Sequence, residues 1–359
     1  RKVDAVFAVS HDFQPQVDIP VIRLSADRMS SARRAIWDQT IWRRIIQKHK
    51  PDVLFSSANF GLLAPPVPQV LLVREGGLFD SFYLANVAPA LTARAIFQRM
   101  ARRRLIVASA RSSKLVLTPT EAMKDLLVSW AGDLGERVRK NQYGTISRFA
   151  DYTPRVRRWK EDGIFRFLYV SAYYPHKQPG LIAEAVAQLN VQGIASHLSV
   201  TMDLDQIAQT PGGDKDLFLL RKAIERGQVT MLGNVPYADL PSIYKSHDVF
   251  VFPSLSETFG HPLAEAMGLG IPVIASDTPV HREVCTDAAL YFSPLLASDL
   301  LRKIRILDEN EALRNSLTKN GRENVSNEFL WEPHVDRLLD AFAQVVKAPC
   351  VHANAEEPE

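Results

Sequence analysis

The stretch SETFGHPLAEAMGLGIPVIASD, residues 256–277, sets two glutamates, Glu257 and Glu265, eight positions apart. The apolar run VFVFPS precedes it, and ligands of open α/β sheets bind beyond the carboxyl ends of such strands. Pro262 stands where a first helical residue belongs, so the loop ahead of it ends at a helix N-terminus. That end offers unpaired backbone N–H groups and the positive pole of the helix, a place for phosphate. Gly260 lets the backbone come close to such a ligand. Glu265 falls about one turn into the helix, where its carboxylate can accept hydrogen bonds from a vicinal diol. Glu257 stays in the loop. A diphosphate held here would lie between two carboxylates, one facing each substituent, which is the layout of a nucleotide sugar. The same spacing also fits a Glu265 that only complements the helix dipole and a Glu257 that is merely solvated.

A cation stands near the same edge. FLYVSAYYPHKQPGLIAEAV reads as strand, loop and helix, with Lys177 in the loop, and a lysine there neutralises a diphosphate as a compact point charge. Other candidates are weaker. Asp203 and Asp205 in TMDLDQ have a spacing that suits Mg²⁺ or Mn²⁺, but aspartates one residue apart are common in loops, so no metal is expected. His11, beyond the first strand, fits a cleft base or hydroxyl contact as well as a structural role. His176 and His261 are better placed but lack a second partner in the sequence. No G-x-G-x-x-G, Walker loop or Ser–His–Asp arrangement supports a dehydrogenase, NTPase or hydrolase.

The elements that position these residues follow from pattern. At 359 residues the chain is long for one core and suggests two domains, and 46% hydrophobic with 23% charged residues suits a globular protein. No apolar run is long enough to span a bilayer, and Asp4 interrupts the signal-like start RKVDAVFAVS. Cys285 and Cys350 form neither a disulfide framework nor a metal knuckle, as expected of a reducing compartment. VDAVFAVS, IPVIRLS, PDVLFSS, PQVLLV and KLVLTPT read as buried strands, with helices over 30–49 and 89–112; Ser30 or Ser31 and Pro89 suit their starts. Periodicity fails in ADYTPRVRRWKEDG, which marks the domain boundary. A second series follows: strands at 165–171, 197–202, 228–232, 248–253 and 271–275, helices at 178–190, 215–226, 238–246 and 262–269. Helices over 296–307 and 309–326 come next, and one over 332–347 carries Val335, Leu338, Leu339, Phe342 and Val346 at helical spacing. The expected division is 1–155, 156–331, a helix 332–347 that crosses back to the first domain, and a tail 348–359. The first domain reads as one strand–loop–helix unit short of a doubly wound fold.

VTMLGNVPYADLPSIYKSHDVFVFPSLSETFGHPLAEAMGLGIPVIASDTPVHREVCTDAALYFSP closely resembles the donor half of retaining glycosyltransferases of family four, the glycosyl transferases group 1. The resemblance covers residues 165 to about 345 and is strongest at the Glu-x7-Glu stretch; over 1–160 it extends only to element order. It implies the GT-B architecture, two Rossmann-like domains facing each other across a cleft. It further implies that Glu265 binds the donor ribose, that Glu257 and the backbone of Thr258, Phe259, Gly260 and His261 meet sugar and phosphate, and that Lys177 holds the diphosphate. Gly233, Asn234 and Val235 would lie against the base. Two departures stand out. Ala172 occupies the position of the family's arginine, and Arg74, Glu75, Gly76 and Gly77 follow the strand after which relatives carry a histidine. Arg74 is a candidate replacement for the lost charge.

Charge is unevenly divided. Residues 1–160 hold 27 Lys+Arg and 13 Asp+Glu, against an overall net charge of +3. SSARRAIWDQTIWRRIIQKHK and RAIFQRMARRRLIVASARSSK interleave arginines with aromatic and apolar residues, a pattern that suits an anionic membrane surface. Trp37, Ile41 and Ile45 equally suit a core face with the arginines outward. No nucleic-acid-binding motif accompanies the charge. The expectation is a metal-independent hexosyltransferase of cell-surface polysaccharide synthesis. It would use a UDP- or GDP-sugar and a glycan or lipid-linked acceptor, in the cytoplasm or on the inner membrane face. The alternatives are a nucleotide-sugar epimerase or phosphorylase on the same architecture, or a non-catalytic nucleotide-sugar or carbohydrate-binding protein.

Overall fold

The structure, a computed structural model, describes residues 3–15, 17–25, 29–87, 92–145 and 157–347. Among these residues the strands form three parallel sheets. β1 (Phe7–Ser10) pairs only with β2 (Val21–Leu24). β3 (Leu54–Ser56), β4 (Gln69–Leu72), β5 (Leu115–Thr118) and β6 (Val138–Lys140) form a second sheet in that order. The third runs β12 (Ala289–Phe292), β11 (Val273–Ser276), β10 (Val249–Phe252), β7 (Phe165–Tyr169), β8 (Ser196–Val200), β9 (Val229–Met231). The strands after β7 build outward on one side and β10 starts the other, so β7 and β10 flank a topological switch point. β4, β5, β10 and β11 are buried along their whole length, the pattern of parallel strands covered on both faces.

Each large sheet has its own core. Phe165, Phe167, Tyr169, Phe250, Phe252, Leu263 and Ile274 pack in the second domain; Leu71, Val73, Phe79, Ile106, Val116, Met123 and Leu127 pack in the first. The helix Trp331–Lys347 covers the other face of the first sheet, with Ala341 and Val345 against Val70, Leu72, Leu115 and Leu117. Phe342 packs on Phe55 at 5.5 Å between ring centroids, and Arg337 donates to Asn141 Oδ1 and the Gln142 carbonyl. Of its five apolar positions, Val335 and Val346 turn outward instead.

Several expectations change. β1 and β2 are largely exposed rather than buried, because the short pair stands apart from the large sheets. β6 and the helices Ser81–Val87, Glu121–Trp130, Leu204–Gln209 and Pro279–Cys285 add to the pattern read from the sequence. The first-domain helix runs Ser31–Trp37, through a π-helical stretch Asp38–Trp42, into Arg43–His49; Ser30 precedes it without a side-chain cap. The next long helix, Ala93–Arg111, is capped by Thr92, whose hydroxyl accepts from the Ala95 N–H, while Pro89 lies outside the described residues. The domain boundary falls partly outside them too, but Arg157 already belongs to the second domain, since its guanidinium donates to buried Asp248 at 3.2 Å.

Candidate active site

Two loops leave the switch point side by side. The loop after β7 carries His176 and Lys177 in a short 3-10 turn, and the loop after β10 carries Ser256 to Gly260. The Leu255 N–H donates to the His176 carbonyl at 2.8 Å, and the Tyr169 hydroxyl to the Lys177 carbonyl at 2.9 Å, which fixes both loops to the sheet. Lys177 Nζ donates directly to Glu257 Oε1, and its ammonium also lies over the Phe252 ring. Burial pushes the Glu257 carboxyl up, but the Lys177 ammonium and the hydrogen bonds from Lys177 and Ser254 outweigh it, so it stays below the usual carboxylate value. His176 packs edge-on to Tyr83 and stacks with Tyr174; burial first, then Lys177, pull its pKa down to about 4. The site thus holds an ion pair and a neutral imidazole at neutral pH.

Gly260 has φ 87°, a conformation that glycine alone adopts freely, and it turns the chain into the helix His261–Gly268 with Pro262 at the second rather than the first position. Glu265 lies inside this helix and is 5% exposed. Its Oε1 accepts from the Tyr237 hydroxyl at 2.9 Å and its Oε2 from Tyr244 at 3.0 Å, while burial raises its pKa. Glu265 therefore does more than complement a dipole. Tyr237 follows the Gly233–Val235 turn after β9, so this edge loop reaches the helix through that phenol; Gly233 itself has φ 66° and open space on its Cα.

Phe259 points inward: its side chain is 1% exposed and packs on Tyr143, His261 and Phe329. His261 stacks on Tyr143 of the first domain at 5.2 Å, which orients its ring. Both side chains follow from the crossing of the two domains, which the sequence pattern does not report.

The first domain closes the other wall. After β4, the Arg74 N–H donates to Asn59 Oδ1, Glu75 pairs with Arg102 at 3.0 Å, and Gly76 backs onto the Glu257 carbonyl. A cleft of about 620 Å³ results, lined from the first domain by Arg74, Glu75, Gly76 and Arg99 and from the second by Lys177 and Glu257. The Ser256 hydroxyl also lines it, and is buried without a hydrogen-bond partner among the described residues. Tyr237, Tyr244, Ser256 and Arg99 went unsingled at the sequence level for the cleft; only the Tyr at the turn after GNVP gave a signal, as an aromatic beside the helix that carries Glu265.

Other candidates lie elsewhere. His11 is fully in the open, its side chain 71% exposed beside Asp12, and it is not brought to the cleft because β1 belongs to the separate two-stranded sheet. Asp203 caps the helix Leu204–Gln209, accepting from the Asp205 N–H at 2.9 Å, so that pair is a turn device. Arg102 is exposed at the cleft rim and pairs with Glu75, and Arg103 lies 3.5 Å over the Trp130 ring. Ile41 is exposed, and Trp42 packs with Ile46, Leu54 and Leu62 as the core side of the first helix.

Residues 155–324, which carry both switch-point loops, match the family model described as glycosyl transferases group 1. This segment, a little under half of the chain, belongs to that family. Among curated relatives, the chain is 32% identical to O-antigen chain mannosyltransferase B of Escherichia coli, over 34% of its own length and 32% of the relative's. It is 25% identical to O-antigen chain mannosyltransferase RfbU of Salmonella typhimurium, over 77% of its own length and 72% of that protein's. The chain thus spans about a third of the one relative and nearly three quarters of the other. Among solved structures, a sucrose-phosphate synthase from Thermosynechococcus elongatus superposes with a TM-score of 0.71 at 19% identity, over 90% of this chain and 83% of that one. WaaG, a glycosyltransferase involved in lipopolysaccharide biosynthesis, gives 0.66 at 16% identity over 93% and 89%. The fold of the chain is GT-B, two Rossmann-like domains.

Proposed function

We propose that the chain transfers a hexose from a UDP- or GDP-sugar to a hydroxyl of a glycan or lipid-linked acceptor, with retention at the anomeric carbon, in cell-surface polysaccharide synthesis. Mannose is the sugar that the names of the two curated relatives favour. The observation that carries this reading is the pairing of Lys177 with Glu257 at the switch point, next to the helix that holds Glu265 and opposite Arg74–Gly77. Glu265, fixed by Tyr237 and Tyr244, takes the ribose hydroxyls, and Gly233–Val235 the base. The diphosphate lies at the N-terminus of the helix His261–Gly268, next to Lys177. Both are preorganised for the charge that grows on the leaving diphosphate, as transition-state stabilisation requires. Lys177 then shares its ammonium between phosphate and Glu257, which faces the hexose. Arg74 supplies charge from across the cleft, where Ala172 supplies none. With this supply of positive charge, transfer needs no metal and no cofactor.

Among the described residues no helix is long and apolar enough to cross a membrane. Ile96, Phe97 and Met100 are exposed on the helix Ala93–Arg111, beside exposed Arg94 and Arg104. That combination supports a peripheral seat on an anionic inner membrane face.

The test is product analysis with UDP- and GDP-hexoses, with and without a glycan acceptor, and with and without chelator. The expected result is an acceptor-dependent product of retained configuration that chelator does not diminish. Isomerisation of the sugar without acceptor would mean an epimerase. Binding without turnover would mean a carbohydrate-binding protein.

A further inference from the structure

Thr120 and Glu283 lie outside the cleft lining, yet they join the domains at the loop that carries Glu257. Thr120 is the N-cap of the first-domain helix Glu121–Trp130. Its hydroxyl accepts from the Met123 N–H at 3.1 Å and donates to the Thr258 carbonyl at 3.0 Å. A hydroxyl has one proton and two lone pairs, so it can do both at once. Glu283, on the second-domain helix Pro279–Cys285, reaches the same helix end. Its Oε1 accepts from the Glu121 N–H and its Oε2 from the Ala122 N–H, both at 2.9 Å, and Lys140 Nζ stands 3.4 Å from Oε1.

The first N–H groups of a helix have no partner within it. Here the first two are satisfied from the other domain and the third by Thr120, and a carboxylate at that end also gains from the helix dipole. On the far side of the loop, a Cβ on Gly76 would sit 2.9 Å from the Glu257 carbonyl oxygen. The Glu257–Thr258 backbone is therefore held between two first-domain groups, Gly76 and Thr120.

We propose that Glu283 and Thr120 are positioning residues. By capping one helix jointly, they hold the Glu257–Thr258 backbone in register with Lys177, so that transfer depends on the docked pair of domains. The proposal rests on the reading of Glu257 as a reaction-site group. Glu265, Tyr237, Tyr244 and Gly233 belong to the second domain alone, so donor binding and turnover should separate when the contact is lost.

Two measurements on the full chain test this. In hydrogen exchange, Glu283→Ala should speed exchange at Glu121 and Ala122 and also, through Thr120, across residues 256–260. Acceleration confined to Glu121 and Ala122 would overturn the coupling, whatever reaction the protein performs. In steady-state assays, Glu283→Ala and Thr120→Val should each lower kcat on the order of ten- to hundredfold, the scale that small misplacements reach. Binding of UDP or GDP should be unchanged, and Thr120→Ser, which keeps the hydroxyl, should restore kcat. The double variant should lose less than the two single losses combined, since both act on one loop. Equal losses of nucleotide binding and kcat, or an unchanged kcat, would reduce the pair to ordinary support of the fold. A native chain that transfers no sugar would sink the proposed function, while the exchange measurement still decides the coupling.

Discussion

Glu257 and Glu265 look alike in the sequence but sit in opposite surroundings, and their variants should behave differently. Glu257 faces the cleft with its charge matched by Lys177. Glu257→Ala should leave nucleotide binding intact, because the freed ammonium turns to phosphate, while kcat collapses. Glu265 is buried and accepts from two tyrosine hydroxyls, so Glu265→Ala removes the acceptor both phenols use and costs ~1–3 kcal/mol of stability as well as donor affinity. Calorimetric titration with UDP or GDP and denaturant unfolding separate the two; equal loss of nucleotide affinity in both variants would contradict the division of roles. The buried histidines give a pH prediction. Burial holds His247 at about 4 against the pull of its hydrogen bond to the Ile243 carbonyl, and His176 also at about 4. Between that value and about 6.5 the unfolded chain binds protons that the folded one does not, so stability rises with pH in this window and falls as pH drops toward 4. Urea unfolding from pH 4 to 7 should show that slope, and His247→Gln, away from the cleft, should flatten it.

At the level of elements, the helix Trp331–Lys347 returns the chain from the second domain to the first sheet. Its contact face is His334, Leu338, Ala341, Phe342 and Val345, one side of a helix. Phe342→Ala opens a gap against Phe55 and should cost ~3 kcal/mol, whereas Val335→Ser, on the exposed side, should stay within about 0.5 kcal/mol. Thermal unfolding of the two variants checks this, and equal effects would mean that the helix does not hold the domains as packed here. The helix itself was legible from its period. Which of its apolar residues touch the sheet was not, since Val335 and Val346 satisfy the period as well as Leu338 does. The same limit explains Phe259, whose ring is drawn inward by Tyr143 and Phe329 from distant segments.

For the whole molecule, the basic half of the chain is the one whose surface also exposes Ile96, Phe97 and Met100. Arg102 and Arg103 are engaged with Glu75 and Trp130, so replacing them would disturb the cleft wall and a packed aromatic. Arg94→Glu with Arg104→Glu tests the open face instead. Each basic side chain near an anionic surface adds about 1 kcal/mol, and screening sets in over roughly 8 Å at physiological salt. Co-sedimentation with anionic vesicles should fall in this double variant and with rising salt. Binding that neither changes would remove the membrane reading.

The sequence by itself determined the alternation of strand and helix, the second domain nearly element by element, and the chemistry of Glu257, Glu265, Lys177 and Gly260. Such features are local: apolar periodicity, a glycine that must turn, a proline near a helix start and the charge of a side chain all act within a few residues. Only the tertiary structure decided which groups meet. Lys177 and Glu257 are eighty positions apart and touch because strand order reverses between β7 and β10. Tyr237 and Tyr244 hold Glu265 because the turn after β9 and the helix Leu240–Lys245 that follows it both reach that carboxylate. His11 was misplaced for the same reason: a residue's type and spacing say what it can bind, while the packing of sheets and domains sets what stands within reach.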